Sequence, residues 1–169
     1  MEKNTDLQID KTKDELIAQA GEAAANYFRQ GLNCAEAVLW SCMDMHSTEL
    51  PREVVCMASG FGAGIGRTKN MCGAISGAVM ALGLLKGRRN PLQPETMPER
   101  AKEIREIYPH FKQLVNDLEA QYGTLICKEM CRDYEDFEGK PRKRNCMDIV
   151  RFCAQLVEKY ALEDNSEQK

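Results

Sequence analysis

Apolar residues recur along this chain at three- and four-residue intervals, the spacing of one helical face. Leu16, Ile17, Ala20, Ala24, Tyr27 and Phe28 mark a helix over residues 10–30, stopped by Gly31. Asn33 opens a second helix, 33–46, carrying Ala37, Val38, Trp40 and Ser41, and Pro51 starts a short third one over 51–59. Residues 60–87 organise the rest. Gly60, Gly62, Gly64 and Gly66 stand two apart in a glycine-rich turn, and a compact apolar helix of small residues follows. Gly73, Gly77 and Ala81 are four apart there, so a neighbouring helix can approach closely, either within one chain or across a homodimer. A connector with three prolines covers 88–98, and residues 99–121 read as helix, with Pro109 expected to kink or divide it. Residues 125–132 are a short helix, 133–144 a charged loop with acids first and bases after, and 145–162 the last helix.

Period-two alternation and hairpin dipeptides are absent, so no strand is expected. The pattern predicts an all-α fold, a single-domain bundle of about six to seven helices around the Gly/Ala-rich central one. Residues 1–10 are expected to be disordered, 11–162 to form one helical four-cysteine domain, and 163–169 to be a flexible tail.

Length and charge narrow the partners. The 169 residues suit one core, and a net charge of −3 gives no footprint for nucleic acid. The polar start lacks a signal peptide's apolar stretch, and the longest apolar run, 71–85, is too short for a comfortable membrane span. A soluble cytoplasmic protein is the expectation. Eight cysteines are many for a reducing compartment, where a disulfide framework is disfavoured and metal, cluster or redox chemistry gains weight.

The cysteines sort by position. Cys34 follows Asn33, with Glu36 in the capping-box place; Cys72 stands two after Asn70; Cys127 stands three after Thr124; and Cys146 follows Asn145. A cysteine in a first helical turn meets unpaired amides and the positive end of the helix dipole, which favour thiolate over thiol. Four converging starts would form a positively polarised pocket suited to thiolates or to a thiolate-bound cluster. Cys42, Cys56 and Cys153 read first as buried small hydrophobes. Cys131, one turn from Cys127, and Cys153, two turns from Cys146, are candidate auxiliary thiols. Cys-x-x-Cys and haem-attachment motifs are absent, and His46 and His110 are the only histidines. The glycine turn lacks the Gly-Lys-Ser/Thr ending of a phosphate loop. Gly62 and Gly64 are therefore expected to bring backbone close to the thiols or a bound group, with Arg67 and Lys69 available to stabilise negative charge.

With these residues on view, Cys34, the Cys72-Gly73-Ala74-Ile75-Ser76-Gly77 element, Cys127 and Cys146 resemble the redox-active family labelled C_GCAxxG_C_C, over about residues 26–162. The resemblance implies a small redox protein with those four cysteines as its working set. A related segment occurs in split-Soret cytochromes, where an iron–sulfur centre accompanies the haems; this chain lacks the haem motifs, so only the cluster part carries over. Three chemistries follow as expectations. One is a [2Fe–2S] cluster on Cys34, Cys72, Cys127 and Cys146. Another is metal-free thiol–disulfide exchange with Cys72 as the nucleophile of depressed pKa. The third is zinc on the same four thiolates. Each redox reading needs a redox partner, which the sequence does not identify.

Overall fold

The computed structural model describes residues 11–167, and the expected disorder of residues 1–10 lies outside them. Its elements are α1 (Lys13–Arg29), α2 (Cys34–Met45), a 3₁₀ segment (Arg52–Phe61), α3 (Gly73–Lys86), α4 (Met97–Tyr122), α5 (Cys127–Met130) and α6 (Lys140–Glu167). The expected all-α bundle is what forms. Among the described residues there is no strand, only an isolated antiparallel bridge between Met71 and Ile126. No helix among them is long and apolar enough to cross a membrane.

Local chemistry sets the helix starts. Thr12, Asn33 and Thr96 each close a capping box, with Glu15, Glu36 and Glu99 respectively reaching back to the cap amide. Gly123, at φ +72°, ends α4 in the left-handed conformation that glycine adopts without penalty. Pro109 sits inside an unbroken α4 rather than dividing it. It deprives the Arg105 carbonyl of its helical donor, but Arg105 is exposed, so water can replace that bond.

Packing follows from small residues. α3 lies against α2, α6, α4 and the 3₁₀ segment, while α1 lies against α6 and α2. Ala35, Val38, Ala74, Ala78, Ala81 and Leu82 are wholly buried at the heart of the core. α4 buries side chains fully in its second half alone, while Glu103 in its first half pairs with Arg88. Leu114 and Leu118 are its buried residues, Tyr122 meets Phe152 edge-on at 5.8 Å, and Asp117 accepts from the Tyr160 hydroxyl. His46 and the buried Glu158 pair at 2.7 Å, which gives His46 a structural partner near Cys42.

Helix boundaries differ from expectation at three cysteines. α3 begins at Gly73 with Cys72 itself at the cap position, so Asn70 does not cap it. Cys127 opens a helix of only four residues, with Ile126 at the cap position and no side-chain cap bond, so Thr124 does not cap it. α6 begins at Lys140, so Cys146 lies inside it and Asn145 is no cap; its side-chain amide donates instead to the Met130 carbonyl at 3.3 Å. The capping rules favour Asn145 because the bases Lys140, Arg142, Lys143 and Arg144 oppose the dipole of a helix starting among them. Pro141, whose fixed φ and missing N–H suit a first helical turn, favours the earlier start. α6 also runs on to Glu167, past the expected end at Leu162 and into the expected tail, of which residues 168 and 169 are outside the described part.

Candidate functional site: a buried thiol cluster

A turn of reversed hand brings the glycine segment to the cysteines. Ala63, Gly64, Ile65, Gly66 and Arg67 have φ of +51°, +75°, +61°, +57° and +65° in succession, and Lys69 follows at +63°. L-residues avoid this region at roughly 1–2 kcal/mol each, and Ile65 is β-branched, so the non-glycine positions are strained. Inward hydrogen bonds offset the strain: Gly66 N–H donates to Gly60 O at 2.8 Å, Lys69 N–H to Ala63 O at 3.1 Å and Asn70 N–H to Gly64 O at 3.0 Å. Gly64 is required by space as well as by φ, because a Cβ there would lie 2.7 Å from the Lys69 and Asn70 backbone. Gly62 lies against the α2 cap, where a Cβ would sit 2.9 Å from that of Asn33. Both glycines thus shape the turn, and it is the N–H of Ala63, between them, that faces the Cys34 sulfur.

Strain concentrated in one exposed turn gives a clear prediction. Ile65 is 44% exposed, so glycine there loses little packing and gains the φ it needs. Ile65→Gly is expected to stabilise the protein by about 1 kcal/mol, read as a higher urea midpoint at unchanged slope. A lower midpoint would mean that Ile65 contributes contacts worth more than the strain.

The next two cysteines are tied together by backbone. Cys72 N–H donates to Leu125 O at 2.9 Å, Cys127 N–H to Asn70 O at 2.7 Å and Lys128 N–H to Lys69 O at 2.9 Å. These bonds place the start of α3 beside α5. Cys131 closes the turn of α5 and lies 4.0 Å from Cys146, sulfur to sulfur. Cys34 faces Cys146 from the start of α2. Cys34, Cys72, Cys127 and Cys146, the set read from the sequence, therefore converge with Cys131. All five are buried, and all eight cysteines of the chain are free. Cys153 is fully buried in the main core and Cys42 also lies there, while Cys56 is exposed.

Electrostatics single out Cys146. The thiols of Cys131 and Cys34 and the Arg142 guanidinium, whose Nη1 donates at 3.5 Å, hold its pKa far below the usual thiol range. Cys127 is also lowered, first by Cys131, then against the cost of burial by the charges of Arg142 and Lys69. Cys34 and Cys131 are pushed up by those same sulfur contacts. At Cys72 the expected depressed pKa does not hold. Burial pushes the thiol up to about 11, although the Ile75 and Ala74 amides of the α3 start pull the other way. A helix start favours thiolate only where the sulfur keeps some solvation, and Cys72 is 6% exposed. Burial likewise pushes Cys42 up to about 12.

The segment joining Cys131 to Cys146 reads as a solvated cover, and its aromatic residues depart from that. Tyr134 and Phe137 pack with Phe28 on Cys127, Cys131 and Cys146. Arg142 stacks over Phe137 at 4.1 Å and Lys69 lies over the same ring at 4.4 Å. Arg67, expected near the thiols, pairs with Glu138. Arg142 and Phe137 are the residues that sequence reading missed. The available signal was the interval from Arg142 to Cys146, one helical turn, which puts both on one face.

The donor set suits a thiolate-held centre: four sulfurs from four separate segments, with backbone N–H groups and cations turned toward them. As the side chains stand, Cys146 meets Cys131 and Cys34, Cys131 meets Cys127, and among the described residues no group of three or more His, Cys, Asp or Glu side chains is set to hold a metal ion.

A helical bundle that gathers buried thiols from separate segments under two cations defines a redox-type cysteine protein. Residues 32–160 match the family described as "Putative redox-active protein (C_GCAxxG_C_C)", and the chain belongs to that family. No curated protein and no solved structure matches the chain.

Proposed function

We propose that this protein is a redox protein whose working groups are Cys34, Cys72, Cys127 and Cys146, acting as ligands of an iron–sulfur cluster, with [2Fe–2S] the expected form. The observation that carries the reading is the convergence of these four thiols from four segments in one buried place, with Arg142 and Lys69 beside Cys127 and Cys146. A thiol–disulfide site needs two sulfurs; a cluster needs four, and it carries negative charge that amides and cations stabilise. The cluster would supply one-electron transfer to a redox partner. The protein's own part is to exclude water with Phe137 and Tyr134 and to turn Ala63, Ala74 and Ile75 amides and Arg142 toward the sulfurs. Ligation requires the sulfurs to give up their contacts with one another.

Purification without oxygen, followed by iron and acid-labile sulfide assay and a visible spectrum, tests this. Iron and sulfide in the native protein, both lost in Cys72→Ser with helical content retained, is the expected result. Zinc alone would replace the cluster by a metal site without redox chemistry.

A second reading has its own observation, the 4.0 Å separation of the Cys131 and Cys146 sulfurs, which modest rotation would bring to bonding distance. In that reading the Cys146 thiolate attacks a disulfide substrate and releases one of its sulfurs as a thiol. Cys131 then attacks the Cys146 sulfur of the mixed disulfide, forming the Cys131–Cys146 disulfide and releasing the substrate's second sulfur as a thiol, so the protein's dithiol gives up two electrons, one to each substrate sulfur. Cys146 takes the nucleophile's place expected for Cys72, since Cys72 is held as a thiol. A colourless, metal-free protein with a reducible Cys131–Cys146 crosslink would favour it.

A further inference from the structure

Arg142 is a cation in a place where cations are costly. It is 6% exposed, and its Nε is a buried donor with no hydrogen-bond partner. Its nearest polar contact is a sulfur, that of Cys146 at 3.5 Å from Nη1. The ion pairs formed by the described side chains join other residues, and none brings a carboxylate to Arg142. A buried guanidinium donor left unmet is costly unless an acceptor completes the site. Stacking on Phe137 at 4.1 Å fixes the plane of the guanidinium but contributes no acceptor. Lys69, over the same ring at 4.4 Å, adds a second positive charge beside the thiols. The arrangement therefore pairs the Arg142 charge with the Cys146 sulfur and leaves one buried donor, Nε, without an acceptor.

We infer that Arg142 is the counter-charge to the thiolate-held centre and that its free Nε donor is reserved for an anionic acceptor of that centre, so that Arg142 sets the reduction potential of the site. This deepens the proposed function and rests on it. The physical reason is direct: reduction adds an electron, and a fixed cation within hydrogen-bond reach favours the reduced, more negative state. Arg142 is a positioning residue here, since it acts on the centre through charge and hydrogen bonds and not as a ligand.

The test is a redox titration of the anaerobically purified protein, followed by its visible spectrum, for the native chain, Arg142→Gln and Arg142→Lys, with iron and sulfide measured on each. Arg142→Gln is expected to keep its iron and to lower the midpoint potential. A tenfold fall in the reduced-to-oxidised ratio at a given potential is about 59 mV for one electron. Arg142→Lys, which keeps the charge but loses the Nε donor, is expected to lie between Arg142→Gln and the native value. An iron-loaded Arg142→Gln with an unmoved potential would overturn the inference and leave the cluster reading standing. A native protein with neither iron nor sulfide would overturn the cluster reading and this inference with it. Should Arg142→Gln fail to fold or to hold iron, Phe137→Leu takes its place. That variant keeps the guanidinium but removes the ring that orients it, and a potential equal to native in that variant would overturn the inference.

Discussion

Gly77→Val is expected to destabilise the protein by about 3 kcal/mol and to reduce the yield of folded chain, the upper end of what overpacking costs. A Cβ at position 77 would stand 2.7 Å from the Ala35 carbonyl oxygen, 2.9 Å from its Cα and 3.1 Å from the Val38 Cβ. Two of those three neighbours are backbone of α2, so no side chain can rotate aside. Relief requires α2 and α3 to separate, and that contact carries the core: Ala35, Val38, Ala74 and Ala78 are all wholly buried in it. The same movement would carry Cys34, the first residue of α2, away from Cys72 at the α3 cap. Urea unfolding followed by circular dichroism gives the stability, and the iron assay gives the site. A Gly83→Ala control has open space around its Cβ and is expected to leave both close to native. A Gly77→Val protein of native stability would show that the two helices are not locked at this point.

Leu118→Ala is expected to cost 2–5 kcal/mol, roughly the range for removing a fully buried leucine where the surroundings close only in part. At the size of this chain a loss of about 3 kcal/mol lowers the melting temperature by roughly 6–12 °C. The argument is one of leverage. α4 is a helix of 26 residues, yet Leu114 and Leu118 are its only buried ones. The first half carries Tyr108, 62% exposed, and Met97, 80% exposed, and so adds little to docking. Losing one of two anchors should free α4 before the thiol-bearing part unfolds. Hydrogen exchange is therefore expected to quicken in 97–122 ahead of α3 and α6. Uniform quickening across all helices would instead show that α4 is integral to one cooperative unit.

The bundle was legible because helix signals here are local. The Asn33–Glu36 capping box, the three- and four-residue spacing in α1 and α6 and the small-residue ladder of α3 each state their element within a few residues. Convergence of the four cysteines was legible through their common place near predicted helix starts, although the premise holds only in part. Cys34 does open its helix, whereas Cys146 sits one turn and more inside α6. What failed was everything decided by burial. Cys72 has the helix-start amides expected of it but too little solvent to remain a thiolate. Arg142 belongs to a charged run that reads as solvated, and only the fold brings Phe137 over it. Cys131 was legible as an auxiliary thiol from its spacing to Cys127, but not as a sulfur 4.0 Å from Cys146, because that contact joins two helices separated by a loop.

The turn between α2 and α3 has a consequence for the chirality of the chain. From Ala63 to Arg67 the main chain winds in the sense natural to D-amino acids. Assembling the protein from synthetic fragments with D-alanine at 63, D-isoleucine at 65 and D-arginine at 67 would leave the backbone course intact and remove its steric penalty. The mirror-image residues would also send their side chains off the opposite side of the turn. A ribosome has no such residues to offer. The chain therefore reaches a mirror-image shape with achiral glycine at 64 and 66 and tolerates the wrong hand in between, at the segment that turns the Ala63 amide onto Cys34.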